Sequence, residues 1–186
     1  MTRLPTLSAS EIRTERLVLR KARETDRAGL IELLTDDEVR AYLGGPRPRR
    51  AVEQHFDAVG AASATSEPGT YVIADNTTNQ LVGTLVLDRR PASRPGHLTE
   101  GGAELELSYA LRRSAWGLGL AFEAAKAALR AAAGELPDQP VVVVTQTANR
   151  RSLELATRLG FHHVDTFEEF GAEQALATAR LHEFKA

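Results

Sequence analysis

The sequence predicts a mixed α/β fold, and three observations carry that prediction. Tyr71-Val72-Ile73-Ala74 and Leu81 to Leu87 are apolar, strand-like runs joined by Asp75-Asn76-Thr77-Thr78-Asn79-Gln80, a turn-rich hairpin connection. Ala103 to Leu111 alternates like a half-buried strand and gives way, through a glycine-containing turn, to an Ala-rich helix. Val141-Val142-Val143-Val144 is a buried-strand run followed by a helix whose end is marked by Gly160. Strands and helices interleaved in this way pack as a sheet with helices on its faces.

The elements follow in order. Residues 1–10 read as a flexible tail, and residues 11–186 as a single domain. Arg16-Leu17-Val18-Leu19-Arg20 alternates enough for a strand. Thr25 can cap a helix from Asp26 to about Leu34. Asp36 to Leu43 reads as a short second helix stopped by Gly44-Gly45-Pro46, and Arg49 to about Ala64 as a third. After the hairpin of strands 71–74 and 81–87, Pro91 to Gly102 is a polar loop. Then come the strand 103–111, a helix from about 117 to 133, a strand over 140–147 and a helix over 150–159. Phe161 to Phe170 and Ala175 to Phe184 read as a closing pair of strands, with Gly171 in the connection.

Composition narrows the function. With 23 Lys and Arg against 25 Asp and Glu, the formal net charge is −2, and no basic stripe stands out. Nucleic acid is therefore not an expected partner. There is no cysteine, which excludes disulfides, thiolate metal ligands and cysteine nucleophiles. The five histidines lack ligand spacing, so no metal site is expected. No signal peptide or transmembrane run is legible, so the expectation is a cytoplasmic protein with no membrane partner.

Two segments carry the chemistry. Trp116-Gly117-Leu118-Gly119-Leu120-Ala121 lies between a strand and a helix. A glycine turn opening a helix aims free amides and the positive end of the helix dipole at one point, which suits an anion. It carries neither the Lys-Ser or Lys-Thr pair of a nucleotide P-loop nor the third glycine of a dinucleotide fingerprint. Taken alone, such a turn is more often a tight corner. The second segment is Asn149-Arg150-Arg151-Ser152, the helix after it, and Leu159-Gly160-Phe161.

Together these motifs resemble the GNAT N-acetyltransferase superfamily, in particular its ribosomal-protein N-terminal acetyltransferase branch (RimJ/RimL type). Trp116, Gly119 and Ala121 fill the places of that branch's phosphate loop, Asn149-x-x-Ser152 matches downstream, and Thr14 to Arg20 looks like its first strand. The resemblance covers the chain from about Ile12 to Phe184 and rests on the order and separation of the motifs. It implies a central mixed, mostly antiparallel sheet, splayed between its fourth and fifth strands and flanked by helices. It also implies acetyl-coenzyme A as co-substrate, with no metal, and an amine-bearing acceptor, either a protein or peptide N-terminus or a small molecule.

The resemblance assigns residues as well. The pyrophosphate falls to the amides of Gly117, Leu118, Gly119, Leu120 and Ala121, with Trp116 at the start of the loop. The pantetheine arm lies along the strand near Tyr109 and Leu111, and Asn149 and Ser152 meet it from the helix. Glu106, in Glu106-Leu107-Ser108-Tyr109, matches the branch's Glu-x-Gly-Tyr and is the candidate base, with Ser108 replacing the usual glycine. Ser152 is the candidate acid for the departing thiolate. Glu106 reads equally well as a solvated strand residue, while for Ser152 the acid role is favoured over helix capping, and Asn149 can cap the helix and meet the arm at once. Tyr109 is a rival acid, although a strand tyrosine is more often core. Arg112 and Arg113, just before the loop, are candidates for the cofactor's phosphates. Residues 44–64 and the loop 91–102 are expected to shape the acceptor pocket. A homodimer is one option for the assembly. The competing reading is a non-catalytic acyl-coenzyme A binding or sensing module, which would need neither Glu106 nor Ser152.

Overall fold

The computed structural model describes residues 3–186. Its strands are β1 (Ile12–Arg13), β2 (Leu17–Arg20), β3 (Thr70–Asp75), β4 (Leu81–Arg89), β5 (Leu105–Leu111), β6 (Pro140–Gln146), β7 (His162–Glu169) and β8 (Ala172–Arg180). Its helices are α1 (Arg27–Thr35), α2 (Arg49–Val59), α3 (Leu120–Glu135) and α4 (Arg150–Leu159). The strands form one open eight-stranded sheet in the order β1-β2-β3-β4-β5-β6-β8-β7. Every neighbouring pair is antiparallel except β5 and β6. This is the expected mixed α/β sheet. The short β1 shifts the count, so the expected fourth and fifth strands are β5 and β6.

Alternation along the strands builds two cores. Leu17, Leu19, Tyr71, Ile73, Leu85, Leu87, Leu105 and Leu107 face α3. That helix offers Ala124, Ala125, Ala128, Ala132 and Ala133, small residues that let it lie close on the sheet. On the other face, Val18, Val72, Ala74 and Leu81 meet Leu30, Ile31 and Leu33 of α1 and Val52 and Phe56 of α2. The β3–β4 turn is fixed by Asp75, whose Oδ1 accepts the Thr77 and Thr78 amides at 2.8 Å each.

Several elements differ from the sequence expectation. Residues 3–10 are not loose. Leu7 is fully buried, the Ser8 amide donates to Glu135, and the Tyr71 hydroxyl donates to the Ala9 carbonyl. Met1 and Thr2, the rest of the expected tail, lie outside the described residues. Residues 37–44 form consecutive turns rather than a helix. Asp36 Oδ1 holds the Glu38 and Val39 amides, and the Arg40 guanidinium takes the Leu43 and Gly45 carbonyls, so local bonds replace the helical ladder. The third helix stops at Val59, because Gly60 adopts φ +80° and a 3₁₀ turn follows over Ala61–Thr65. The last strand begins at Ala172 and ends at Arg180, and residues Leu181–Phe184 turn away as a 3₁₀ helix. There the Leu181 amide donates to Gln139 and the His182 amide to Asp138.

Candidate active site

β5 and β6 are joined only where Leu105 meets Val141 and Glu106 meets Val142. Beyond those pairs the strands part, and a cavity of about 660 Å³ fills the split. The direction of the β5 peptide groups follows from its other neighbour. The Arg90 amide donates to the Glu104 carbonyl and the Arg112 amide to the Val82 carbonyl. In an antiparallel ladder with this register, the even-numbered residues of β5 bond β4, and the odd-numbered ones point the other way. The Leu107 amide is taken up by the last β5–β6 pair, Glu106 with Val142, and the amides of Tyr109 and Leu111 face the open split. One acceptor there is already sealed, since the Trp116 indole donates to the Leu111 carbonyl at 2.9 Å.

The glycine turn closes one end of the cavity. Gly117 and Gly119 have φ of +76° and +75°, a left-handed backbone that glycine adopts without a Cβ penalty. Gly119 is the N-cap of α3, and the first helical amide to bond back is that of Glu123, to the Gly119 carbonyl at 3.1 Å. The amides of the first turn, Leu120 to Phe122, are left at the cavity. The turn is anchored from the first hairpin. Arg16 donates to the Leu118 carbonyl at 2.8 Å and pairs with Glu123 at 2.6 Å, while the Thr14 hydroxyl donates to Glu123. Burial pushes the Glu123 carboxyl up, but the bonds from Thr14 and Arg16 outweigh it and hold it below the usual range.

The opposite wall is the start of α4. Asn149 is its N-cap, accepting the Ser152 amide at 3.3 Å and donating to Thr145 Oγ1 at 3.0 Å. The Ser152 hydroxyl is hydrogen-bonded to the Tyr109 hydroxyl across 3.1 Å. Burial raises the Tyr109 pKa, and the Ser152 bond only partly offsets that. Arg151 lies 4.6 Å from the centroid of Trp116, and Arg158 lies 4.8 Å from that of Phe122. Cation–π contact of this kind fixes each guanidinium in place.

Most of the sequence-selected residues meet here. Tyr109, Leu111, Trp116, Gly117, Gly119, Leu120, Ala121, Asn149 and Ser152 all line the cavity. Leu118 and Glu106 do not. The Leu118 side chain is 56% exposed and points to solvent. Glu106 lies on the opposite face of β5 from Tyr109 and is bonded to Arg90 through Oε2. Arg112 and Arg113 are also elsewhere, the first paired with Glu32 and the second with Asp36 and Glu38. The basic groups at the cavity are Arg151 and Arg158 of α4. Their seven-residue spacing on one helix face was a signal available in the sequence. The far wall is formed by Glu38, Val39, Ala41, Tyr42 and Leu43; residues 44–64 and the loop 91–102, expected at the acceptor, do not line this cavity. That loop is held at the closed end of β5 instead, where Glu104 accepts the Leu98 and Thr99 amides and meets His97 Nδ1 at 2.6 Å. Among the described residues, no group of three His, Asp or Glu side chains is placed to hold a metal ion, and no helix is long and apolar enough to cross a membrane.

An open sheet with a split between two parallel strands, a glycine turn at one end and a capped helix at the other, defines a class of protein that comparison identifies. The sequence model of the Acetyltransferase (GNAT) domain matches residues 16–162. The chain belongs to this family and is a GNAT-type acetyltransferase. A relative from Bacillus subtilis (strain 168), the uncharacterized protein YkkB, is 23% identical over 158 residues, covering 84% of this chain and 88% of its own. A GNAT-family acetyltransferase from Bacillus anthracis has a similar fold, with a TM-score of 0.74 at 17% identity over 92% of this chain and 98% of its own. So has the spermidine N-acetyltransferase from Vibrio cholerae, solved in complex with CoA and spermine, with a TM-score of 0.70 at 15% identity over 93% of this chain and 100% of its own.

Proposed function

We propose that this chain transfers an acetyl group from acetyl-coenzyme A to a primary amine by direct attack in a ternary complex. The observation that carries this reading is the unpaired edge of β5, whose Tyr109 and Leu111 amides open on a cavity ending at the Gly117–Ala121 turn. A pantetheine arm has amides of its own and can pair with such an edge as an added strand does. First-turn amides and the Arg151 guanidinium suit a pyrophosphate. A β5 amide beside the thioester carbonyl serves as oxyanion donor. Asn149, with Thr145 fixing its side chain, holds the arm from the other wall. Ser152 supplies the proton for the departing thiolate.

Glu106 is the base in this reading. Its Oε2 is taken by Arg90, while Oε1 has no protein hydrogen bond among the described residues, so it acts through water. A weak, relayed base suits an α-amine, with a pKa of about 7.7–8.0, better than a lysine at about 10.4. That preference, with the Glu106, Asn149 and Ser152 matches, favours a protein or peptide N-terminus as acceptor and the RimJ/RimL-type branch. A cytoplasmic location goes with it. The test is a thiol-release assay with acetyl-coenzyme A against peptides, polyamines and aminoglycosides. Amine-dependent release is expected, fastest with peptides. Tight binding of acetyl-coenzyme A without release on any amine would replace this reading with that of a sensing module.

A further inference from the structure

We propose that Arg16 is the residue that aims the Gly119 amide at the cofactor's phosphates. That role rests on the function proposed above and concerns how the glycine turn is readied for its anion. Neither Arg16 nor Glu123 lines the cavity, yet the two are bound to each other directly behind the turn. Arg16 Nε and Nη2 hold Glu123 Oε2 at 2.7 and 2.6 Å, and Nη1 donates to the Leu118 carbonyl at 2.8 Å. Glu123 Oε1 is fixed in turn by the Thr14 hydroxyl at 2.6 Å and the Arg16 amide at 2.9 Å. The guanidinium is therefore set from both sides, and a Cβ at Gly119 would lie 3.6 Å from its Nη2.

The peptide between Leu118 and Gly119 carries the consequence. It is planar and trans, so its carbonyl and its N–H point in opposite directions. Arg16 takes the carbonyl on the side away from the cavity. The Gly119 N–H is thereby turned towards the cavity, which Gly119 lines, and it donates to no group among the described residues. The turn alone does not fix this choice. Glycine reaches positive and negative φ with similar ease, so a peptide next to Gly119 can flip. A flipped peptide would set a carbonyl oxygen, in place of a donor, against the phosphates. Glu123 gives a second reason for the guanidinium. It lies in the first turn of α3, so without Arg16 its carboxylate would offset the positive helix end that an anion needs.

The experiment compares two acetyl donors, acetyl-coenzyme A and S-acetylpantetheine, which ends before the phosphates. Wild-type protein, Arg16→Met and Arg16→Met/Glu123→Gln are assayed with the best amine acceptor, and their affinity for coenzyme A is measured by calorimetry. The double variant removes the guanidinium without leaving a bare carboxylate, and it serves if the single variant fails to fold. It should bind coenzyme A on the order of tenfold more weakly, the loss expected for one hydrogen bond to a charged group, and Arg16→Met more weakly still. With acetyl-coenzyme A the same loss should appear in kcat/KM through KM, with kcat changed less than about threefold. With S-acetylpantetheine, kcat/KM of both variants should stay within about threefold of wild type, because no phosphate is there to be held. Equal losses on the two donors would make the pair a structural support and overturn the role. Wild-type affinity for coenzyme A in the double variant would overturn it too, since Arg16 would then only neutralise Glu123. Turnover of neither donor by the wild-type protein on any amine would instead sink the function proposed above, and the calorimetric loss would still decide for or against Arg16.

Discussion

The two ends of β5 are built in opposite ways. At Leu105 and Glu106 the strand is joined to β6, and charged side chains surround the junction. Arg90, 0% exposed, donates to Glu106, to Glu169 at 3.3 Å and to the Pro95 carbonyl, and it packs 5.6 Å from the centroid of Phe167. It ties β4, β5, the loop 91–102 and the β7–β8 hairpin together. At Tyr109 to Leu111 the same strand leaves peptide groups unpaired at a cavity. Unpaired backbone in a protein interior is costly unless water or a ligand satisfies it. The contrast teaches that the sheet is clamped at one end so that it can stay open at the other.

The largest effect should come from the clamp. Arg90→Met keeps the volume but removes the cation bonded to Glu106, and leaves Glu169, 7% exposed, with Arg94 alone. Removing one partner of a buried pair costs about 3–5 kcal/mol, and the remaining Arg94 bond places this loss near 3 kcal/mol. Chemical denaturation measures it. A loss below about 1 kcal/mol would mean that the closed end does not depend on Arg90.

The open end should respond differently. An added Cβ at Gly119 meets only Arg16 Nη2 at 3.6 Å, an ordinary contact, so the cost of Gly119→Ala is conformational. A non-glycine residue in the left-handed region costs about 1–2 kcal/mol. Gly119→Glu should lose a similar amount of stability and, in addition, most of the affinity for coenzyme A, because its carboxylate would stand where the proposed site places phosphate. Calorimetry with coenzyme A checks this, and unchanged binding by Gly119→Glu would remove the turn from the cofactor site.

The smallest effect concerns pH at the closed end. Burial pushes the Glu104 carboxyl up, but the His97 bond and the amides of Leu98 and Thr99 outweigh it, so its pKa is lowered. A lowered carboxyl stabilises the fold fully above its unfolded value, about 4.5, and loses that stabilisation as pH falls through the folded value. Denaturation midpoints of the wild-type protein should therefore approach those of Glu104→Gln as pH drops from about 5 towards 3. A constant gap between the two would remove Glu104 from the acid response.

Much of this was legible in the chain, because it depends on neighbours in sequence. Alternation in Leu105 to Leu111 placed β5, and the valine run placed β6. The glycines at 117 and 119 marked the turn, and Asn149 with Gly160 marked the two ends of α4. Local bonding misled at residues 36–43, where a short segment had two solutions. Residues 36–43 carry helix-compatible side chains, yet Asp36 and the glycines at 44 and 45 settle them as turns.

The sequence by itself determined the order of strands and helices, the glycine turn and the capped helix, since each is specified within a few residues. Only the tertiary structure decided which charges meet. Arg112 and Arg113 read as phosphate ligands because they precede the turn, but the chain direction at the end of β5 aims them at Glu32, Asp36 and Glu38. Glu106 shares a strand with Tyr109 but not a face, and its partner Arg90 is sixteen residues away. The Tyr109–Ser152 contact joins residues forty-three apart. Such pairings are set by the register of the sheet and the packing of helices across it, which no local pattern encodes.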